Sequence, residues 1–395
     1  MNKERFTNCY LLLLYFLLFL YGISTQAIGT LITRIIEYYG IRMAQAGLLS
    51  SFTYIGNFAA IFVVTIFAGR INKIILLGAS IFLYAVSLFL ISAAPQFSII
   101  LACFALIGVF GAIIDTMANS LVADFMPVSV SRNMSLLHGF FGLGGLCGPV
   151  VMERFAGMLS WTQVYFSVSV ACFIYTFIYA LFVKWQWGSL TMRISNEKQA
   201  RFGFSDIALF FYRKRHVLLW ITMFFYAGNQ STLAVWIKRY VETRLSTPVW
   251  GAYALSAMWL GTTICRLLIS PNINASSPKK IYIGNIISAI AIIAGLISAS
   301  VPGIVLASLV VGLSSGSSIP LIIAMGCEWN SEKTAYGTIM PFSACFISYV
   351  VFPPLSGLVS DFLGIPWGVA LGGISAGLTA LFSIILDASL KPEKA

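Results

Sequence analysis

The sequence predicts an all-α integral membrane protein whose twelve transmembrane helices form two six-helix bundles. Three observations predict it. Of 395 residues, 59% are hydrophobic and 9% charged, and the mean hydropathy is +0.91. A soluble chain of this length needs far more charge to cover its surface. Apolar runs of the ~20 residues that cross a hydrocarbon layer recur along the whole chain. One long polar stretch then divides those runs into two sets of six. Strands of alternating polarity are absent, which excludes an outer-membrane barrel.

The apolar segments fall at residues 9–36, 44–68, 74–93, 97–122, 134–158, 164–183, 216–240, 250–268, 281–300, 302–325, 336–359 and 366–386. The first follows Lys3 and Arg5, as a signal peptide would. Its apolar run continues through Gly22-Ile23-Ser24-Thr25-Gln26 without an A-x-A-type cleavage site, so it reads as an uncleaved membrane helix. Between segments six and seven runs the polar stretch that holds Arg193, Lys198, Arg201, Arg213 and Lys214. The expected organisation is therefore a bundle over 1–184, a cytoplasmic linker over 185–214 and a second bundle over 215–395. Weak internal symmetry supports two repeated halves: Ser51 and Gly56 in segment two have the spacing of Ser256 and Gly261 in segment eight.

The formal net charge of +11 comes from basic residues gathered in loops. With both termini inside, inner loops hold 18 of the 24 Lys and Arg, and outer loops hold Arg34, Arg42, Arg154, Lys238, Arg239 and Arg244. That bias predicts cytoplasmic N- and C-termini in a bacterial inner membrane. No nucleic-acid motif accompanies the charge, so the partners expected are the lipid bilayer and a small-molecule substrate, with the chain a monomer. The seven cysteines are scattered one per apolar segment and read as small buried hydrophobes. No metal-ligand spacing and no nucleophile–base set is present, so neither an enzyme nor a metal site is expected.

Asp115 carries the functional reading. It is the acidic residue deepest in an apolar crossing, and Asn119 lies one helical turn later on the same face. A charge at that depth faces a water-filled cavity or a partner. A carboxyl there can take a proton from one side and release it on the other, or it can pin a neighbouring helix. His138 is a candidate relay or an interfacial residue. Tyr226, Asn229 and Gln230 on segment seven are candidate cavity-lining groups, since amides pair with sugar hydroxyls. Trp236 either stacks on a solute or sits in an aromatic belt. Gln26 is the polar candidate of segment one. Arg70, Lys73 and Arg266 read as gating residues at helix ends, with Glu328 and Glu332 as candidate partners. Arg34 and Glu37 read as a solvated pair. Gly139, Gly142, Gly144, Gly145 and Gly148 form a small-residue face for close packing, with Pro149 a point of bending.

Four stretches together resemble a family. Gly111-Ala-Ile-Ile-Asp115-Thr-Met-Ala-Asn119 resembles the fourth helix of the fucose-permease-like group (fucose–galactose–glucose:proton symporters) of the major facilitator superfamily. Asn133-Met-Ser-Leu-Leu-His138, running to Gly148-Pro149, resembles its fifth. Phe225-Tyr226-Ala-Gly228-Asn-Gln230, leading to Trp236, resembles its seventh, and Trp259-Leu-Gly261-Thr-Thr-Ile-Cys-Arg266 its eighth. Two departures stand out: Gln230 replaces an acidic residue usual in the group, and the loop motif after helix two is reduced to Gly69-Arg70 and Lys73. The resemblance implies a major facilitator fold and uptake of a monosaccharide or related polyol by alternating access. No cofactor is implied, only a proton gradient as driving force. No Arg or Lys is read as lying deep in the cavity, which favours a neutral solute. The rival readings are proton-driven export of amphipathic drugs or metabolites, favoured by the 14% aromatic content, and a non-transport membrane sensor.

Overall fold

Hydrocarbon offers the backbone no hydrogen bonds, so apolar crossings must satisfy their own amides, and helices do this residue by residue. The computed structural model describes residues 3–67, 72–126, 130–191, 212–269, 278–330 and 334–390, and among these it contains helices and no strands. They are α1 (Lys3–Thr25), α2 (Ala27–Tyr39), α3 (Met43–Phe67), α4 (Lys73–Ser92), α5 (Phe97–Phe125), α6 (Val130–Ala156) and α7 (Trp161–Thr191). After the linker come α8 (Lys214–Leu245), α9 (Pro248–Ile264) with a π-helical end (Cys265–Ile269), α10 (Pro278–Ser298), α11 (Val301–Ser315), α12 (Ser318–Glu328), α13 (Thr334–Leu363) and α14 (Ile365–Leu390). These account for the twelve crossings read from the sequence, two of them broken: α1/α2 is one crossing and α11/α12 another. The sixth crossing runs further than expected, since α7 continues past residue 183 through a kink at Gln186. Residues 192–211 of the linker, Arg70 and Glu332 lie outside the described residues.

Backbone proximity divides the chain into two units, 1–39 with 52–199 and 40–51 with 200–395. Within the first unit α1 packs on α6, and α4 packs on α5 and α7. Within the second, α8 packs on α13 and α14, α9 on α11, and α10 on α11 and α14. Glycines set the closest approaches. A side chain on Gly56 would strike the Ala105 carbonyl, and one on Gly108 the Thr53 carbonyl. In the second unit a side chain on Gly261 would strike the Leu309 carbonyl, and one on Gly312 the Met258 carbonyl. The second and fourth crossings thus meet backbone to backbone in both units, and Gly56 and Gly261 are the glycines whose spacing from Ser51 and Ser256 matched.

The small-residue face of α6 packs in part. Gly144 meets the Phe19 carbonyl and Gly148 meets Ile23, while Gly139 has open space around its Cα. The cysteines also divide. Cys103, Cys172, Cys265 and Cys345 are buried, but Cys147 is exposed on α6, which corrects the uniform reading.

Proline leaves carbonyls without donors, and side chains supply them. Pro354 removes the amide that would bond Val350, and the Ser51 hydroxyl donates to that carbonyl at 2.5 Å. Asp361 caps the start of α3, accepting from the Met43 and Ala44 amides at 3.0 and 2.9 Å. Gly364, with φ +90°, makes the tight turn from α13 into α14 that a side chain would strain.

Ion pairing departs from expectation. Arg34 does not pair with Glu37; it forms a two-pronged bridge to Glu153 of α6 at 3.0 and 2.9 Å. Glu153 is 5% exposed and Arg34 25%. The long arginine reaches across helices because a buried carboxylate needs a partner more than a solvated one does. Lys73 pairs with Asp124 at 2.8 Å, joining α4 to α5, rather than with Glu328. Glu153→Gln is expected to destabilise the protein by about 3 kcal/mol, because it strands Arg34 in a half-buried site. The double variant Arg34→Met/Glu153→Met should recover most of that loss in thermal unfolding. Additive losses would show that the pair contributes no coupling.

Candidate functional site

In the first unit the candidate residues gather at the middle of α5. Asp115 and Asn119 are both half-buried on one face. Asn119 Nδ2 donates to the Asp115 main-chain carbonyl at 2.8 Å and to its carboxylate Oδ1 at 3.2 Å. The amide is spent on its own helix, where it orients the carboxylate. His138, exposed on α6, lies near Asp115. Tyr21 of α1 also lies near Asp115. Gly111, one turn before Asp115, makes room for it: a Cβ there would stand 2.7 Å from the Tyr21 hydroxyl. Beyond Tyr21, the Tyr84 and Ser24 hydroxyls share a 2.6 Å hydrogen bond.

The first crossing breaks beside this cluster for a local reason. Ser24 and Thr25 each turn their hydroxyls back to carbonyls three residues earlier, Tyr21 and Gly22, at 2.8 Å. Gln26 N then bonds Ile23 O in a tighter turn at 3.1 Å, and α2 starts afresh. Gln26 itself is 4% exposed, with its side chain against Gly148 and its amide on Thr25 Oγ1. It is packed into the wall of the unit.

The second unit builds a polar core around the broken crossing α11/α12. Asn229 Nδ2 donates to Ser288 Oγ at 3.2 Å, Gln230 Nε2 reaches Ser315 Oγ at 3.5 Å, and Asn285 Nδ2 donates to Ser318 Oγ at 3.0 Å. Asn229 and Asn285 are fully buried, and their amide oxygens have no hydrogen-bond partner. Tyr226 is also fully buried, one turn before Gln230. Asn285, Ser288, Ser315 and Ser318 were not singled out from the sequence. The signal available was Asn285 and Ser288 three residues apart within an apolar run. Trp236 is not a belt residue: it is fully buried and donates from Nε1 to the Pro353 carbonyl at 3.0 Å.

Two basic side chains make contacts that the sequence did not point to. Lys238 is buried and pairs with Glu242 one turn on. Arg266 stands in the π-helical end of α9, and its long side chain reaches back into a neighbouring crossing. Its Nε donates to the Gly316 carbonyl at 3.1 Å, inside the break of α11/α12, and its guanidinium lies beside the Tyr226 hydroxyl. Pro320 explains the first contact, since it lacks the amide that a continuous helix would direct at Gly316. Among the described residues no three His, Cys, Asp or Glu side chains converge as metal ligands.

Nine spans among the described residues are long and apolar enough to cross a bilayer by themselves. The polar α8 is not one of them, and most of its length is buried against its neighbours. It crosses inside protein rather than in lipid.

A family model described as Major Facilitator Superfamily matches residues 14–328. The glucose/mannose transporter GlcP of Bacillus subtilis is 24% identical over 265 residues, covering 65% of this chain and 64% of GlcP. Bypass of stop codon protein 6 of Saccharomyces cerevisiae is 24% identical over 272 residues, covering 63% of this chain and 54% of that protein. The chain thus matches less than two thirds of either relative's length. Among solved structures, a bacterial homologue of the human lysosomal transporter Spinster superposes with a TM-score of 0.80 at 13% identity, over 99% of both chains. The nucleoside transporter NupG superposes at 0.75 and 14%, over all of both chains. The E. coli fucose:proton symporter FucP superposes at 0.62 and 17%, over 96% of this chain and 99% of that one. At these identities the structures show a shared fold. The family match spans most of the chain, so this integral membrane protein belongs to the major facilitator superfamily of transporters.

Proposed function

We propose that the protein takes up a small polar solute, a monosaccharide or related polyol, by proton-coupled alternating access of its two halves, with both termini cytoplasmic in a bacterial inner membrane. The observation that carries this reading is the half-buried Asp115 carboxylate, oriented by Asn119 and approached by His138 and Tyr21. A single carboxylate that exchanges a proton fits a symporter with one coupling site. Amides and hydroxyls dominate the polar groups of the second unit, and such groups match the mixed donors and acceptors of a polyol. Two similarities support the class: GlcP is named a glucose/mannose transporter, and FucP a fucose:proton symporter.

A panel of monosaccharides, polyols, nucleosides and cationic drugs tested by thermal shift on the purified protein identifies the class. A ligand of the folded state at about one hundred times its Kd should stabilise by about 2.7 kcal/mol. Stabilisation by sugars or polyols, with uptake of the same compound into vesicles driven by an inward proton gradient, is expected. Stabilisation by drugs or nucleosides alone overturns the reading.

A further inference from the structure

Arg266 stands in an unusual place for a positive charge. Gly316 follows the fifteen residues of α11 and precedes the eleven of α12, so at about 1.5 Å per residue it lies some 20 Å into the crossing. Arg266 Nε reaches that carbonyl, which fixes the guanidinium plane and leaves both Nη groups unspent on it. The residue is exposed, and no carboxylate among the described residues forms an ion pair with it. A guanidinium in a membrane span faces water or a ligand rather than hydrocarbon. Beside it lies Tyr226, fully buried, whose hydroxyl proton has no acceptor. The arginine cannot supply one, since it only donates. The Cys345 thiol of α13 also lies near the guanidinium.

We infer that Arg266 and Tyr226 form an anion subsite in the second unit, which takes the carboxylate of an acidic monosaccharide such as an aldonate or uronate. The inference rests on the polyol reading above and narrows it. The chemistry is weighted to donors: the guanidinium fork only donates, and the phenol, whose oxygen faces the guanidinium, still has its O–H to donate. A neutral hydroxyl must donate as well as accept, so it leaves such a cluster partly unmatched. A carboxylate accepts on both oxygens, and a planar fork matches its geometry. It also supplies the negative charge that the unit lacks at this point. Gln230, one turn beyond Tyr226 on α8, is held only by a 3.5 Å contact to Ser315 and stands next along the helix for the hydroxylated part of the same solute.

The test compares matched pairs on the purified full-length protein by calorimetry: glucose with gluconate and glucuronate, and galactose with galacturonate. The acid of at least one pair should bind about tenfold or more tighter than its neutral partner. Arg266→Gln should bring that ratio close to one, Arg266→Lys should recover part of it, and Tyr226→Phe should reduce it several-fold. Because the readout is a ratio within each variant, partial loss of folded protein does not obscure it, and Arg266→Lys keeps the charge if Arg266→Gln fails to fold. Neutral sugars binding more tightly than acids, or an acid preference unchanged in Arg266→Gln, overturns the subsite and leaves polyol transport standing. Absence of binding by every sugar, acidic or neutral, overturns both.

Discussion

Asp115→Asn is expected to abolish uphill accumulation of solute while downhill exchange continues. Asparagine keeps the size of the side chain and can still meet the Asn119 amide, so the shape of α5 is preserved. What it loses is the ability to carry a proton. One proton per solute drives about tenfold accumulation per unit of pH gradient, because each unit is worth about 1.4 kcal/mol. Vesicles holding the variant should therefore equilibrate solute without concentrating it, whatever gradient is imposed. Counterflow, which needs no net proton movement, separates the roles: its loss together with accumulation would assign Asp115 to solute binding. Normal accumulation by the variant would end the proton-carrier reading. Glu153 does not substitute for it, since that carboxylate is held by both prongs of Arg34.

The second large effect is structural. Gly261→Leu should cost more than about 4 kcal/mol and prevent recovery of folded protein, because its side chain has only backbone to displace. A Cβ there meets the Leu309 carbonyl and stands 2.7 Å from the Leu313 amide, and neither can rotate away as a flexible side chain would. Gly56→Leu should behave alike against Ala105. Gly377→Leu is the control, since nothing lies within 4 Å of a Cβ at that position. Size-exclusion profiles and melting temperatures of the three variants decide the matter. If Gly261→Leu unfolds where Gly377→Leu does, the close crossing of α9 and α11 does not hold in the membrane.

Much of the fold was legible because lipid imposes one rule on every crossing. Hydropathy located the segments, and the equal Ser–Gly spacings at Ser51–Gly56 and Ser256–Gly261 pointed to the glycines that make equivalent contacts in both units. The site was legible in part. Asp115 and Asn119 share a face by helical period alone, and the structure places them so. The contacts of Gln26 and Trp236 were not legible, because polarity in an apolar segment does not say which way a side chain turns. Gln26 sits at a break produced by Ser24 and Thr25, and Trp236 answers a carbonyl of the Pro353-Pro354 kink. Arg34 misled for a related reason: Glu37 is near in sequence, but Glu153 is near in space and buried.

By itself, then, the sequence determined the class, the apolar crossings and the carboxylate of α5, all of which follow from local composition and helical period. Only the tertiary structure decided the partners. It placed Tyr21 and His138 near Asp115, Ser288 and Ser318 under the amides of the second unit, and Arg266 beside Tyr226 at the break that Pro320 leaves open. Such pairings join residues tens of positions apart. They depend on which faces of the helices meet, and that is set by packing within each unit rather than by any single segment.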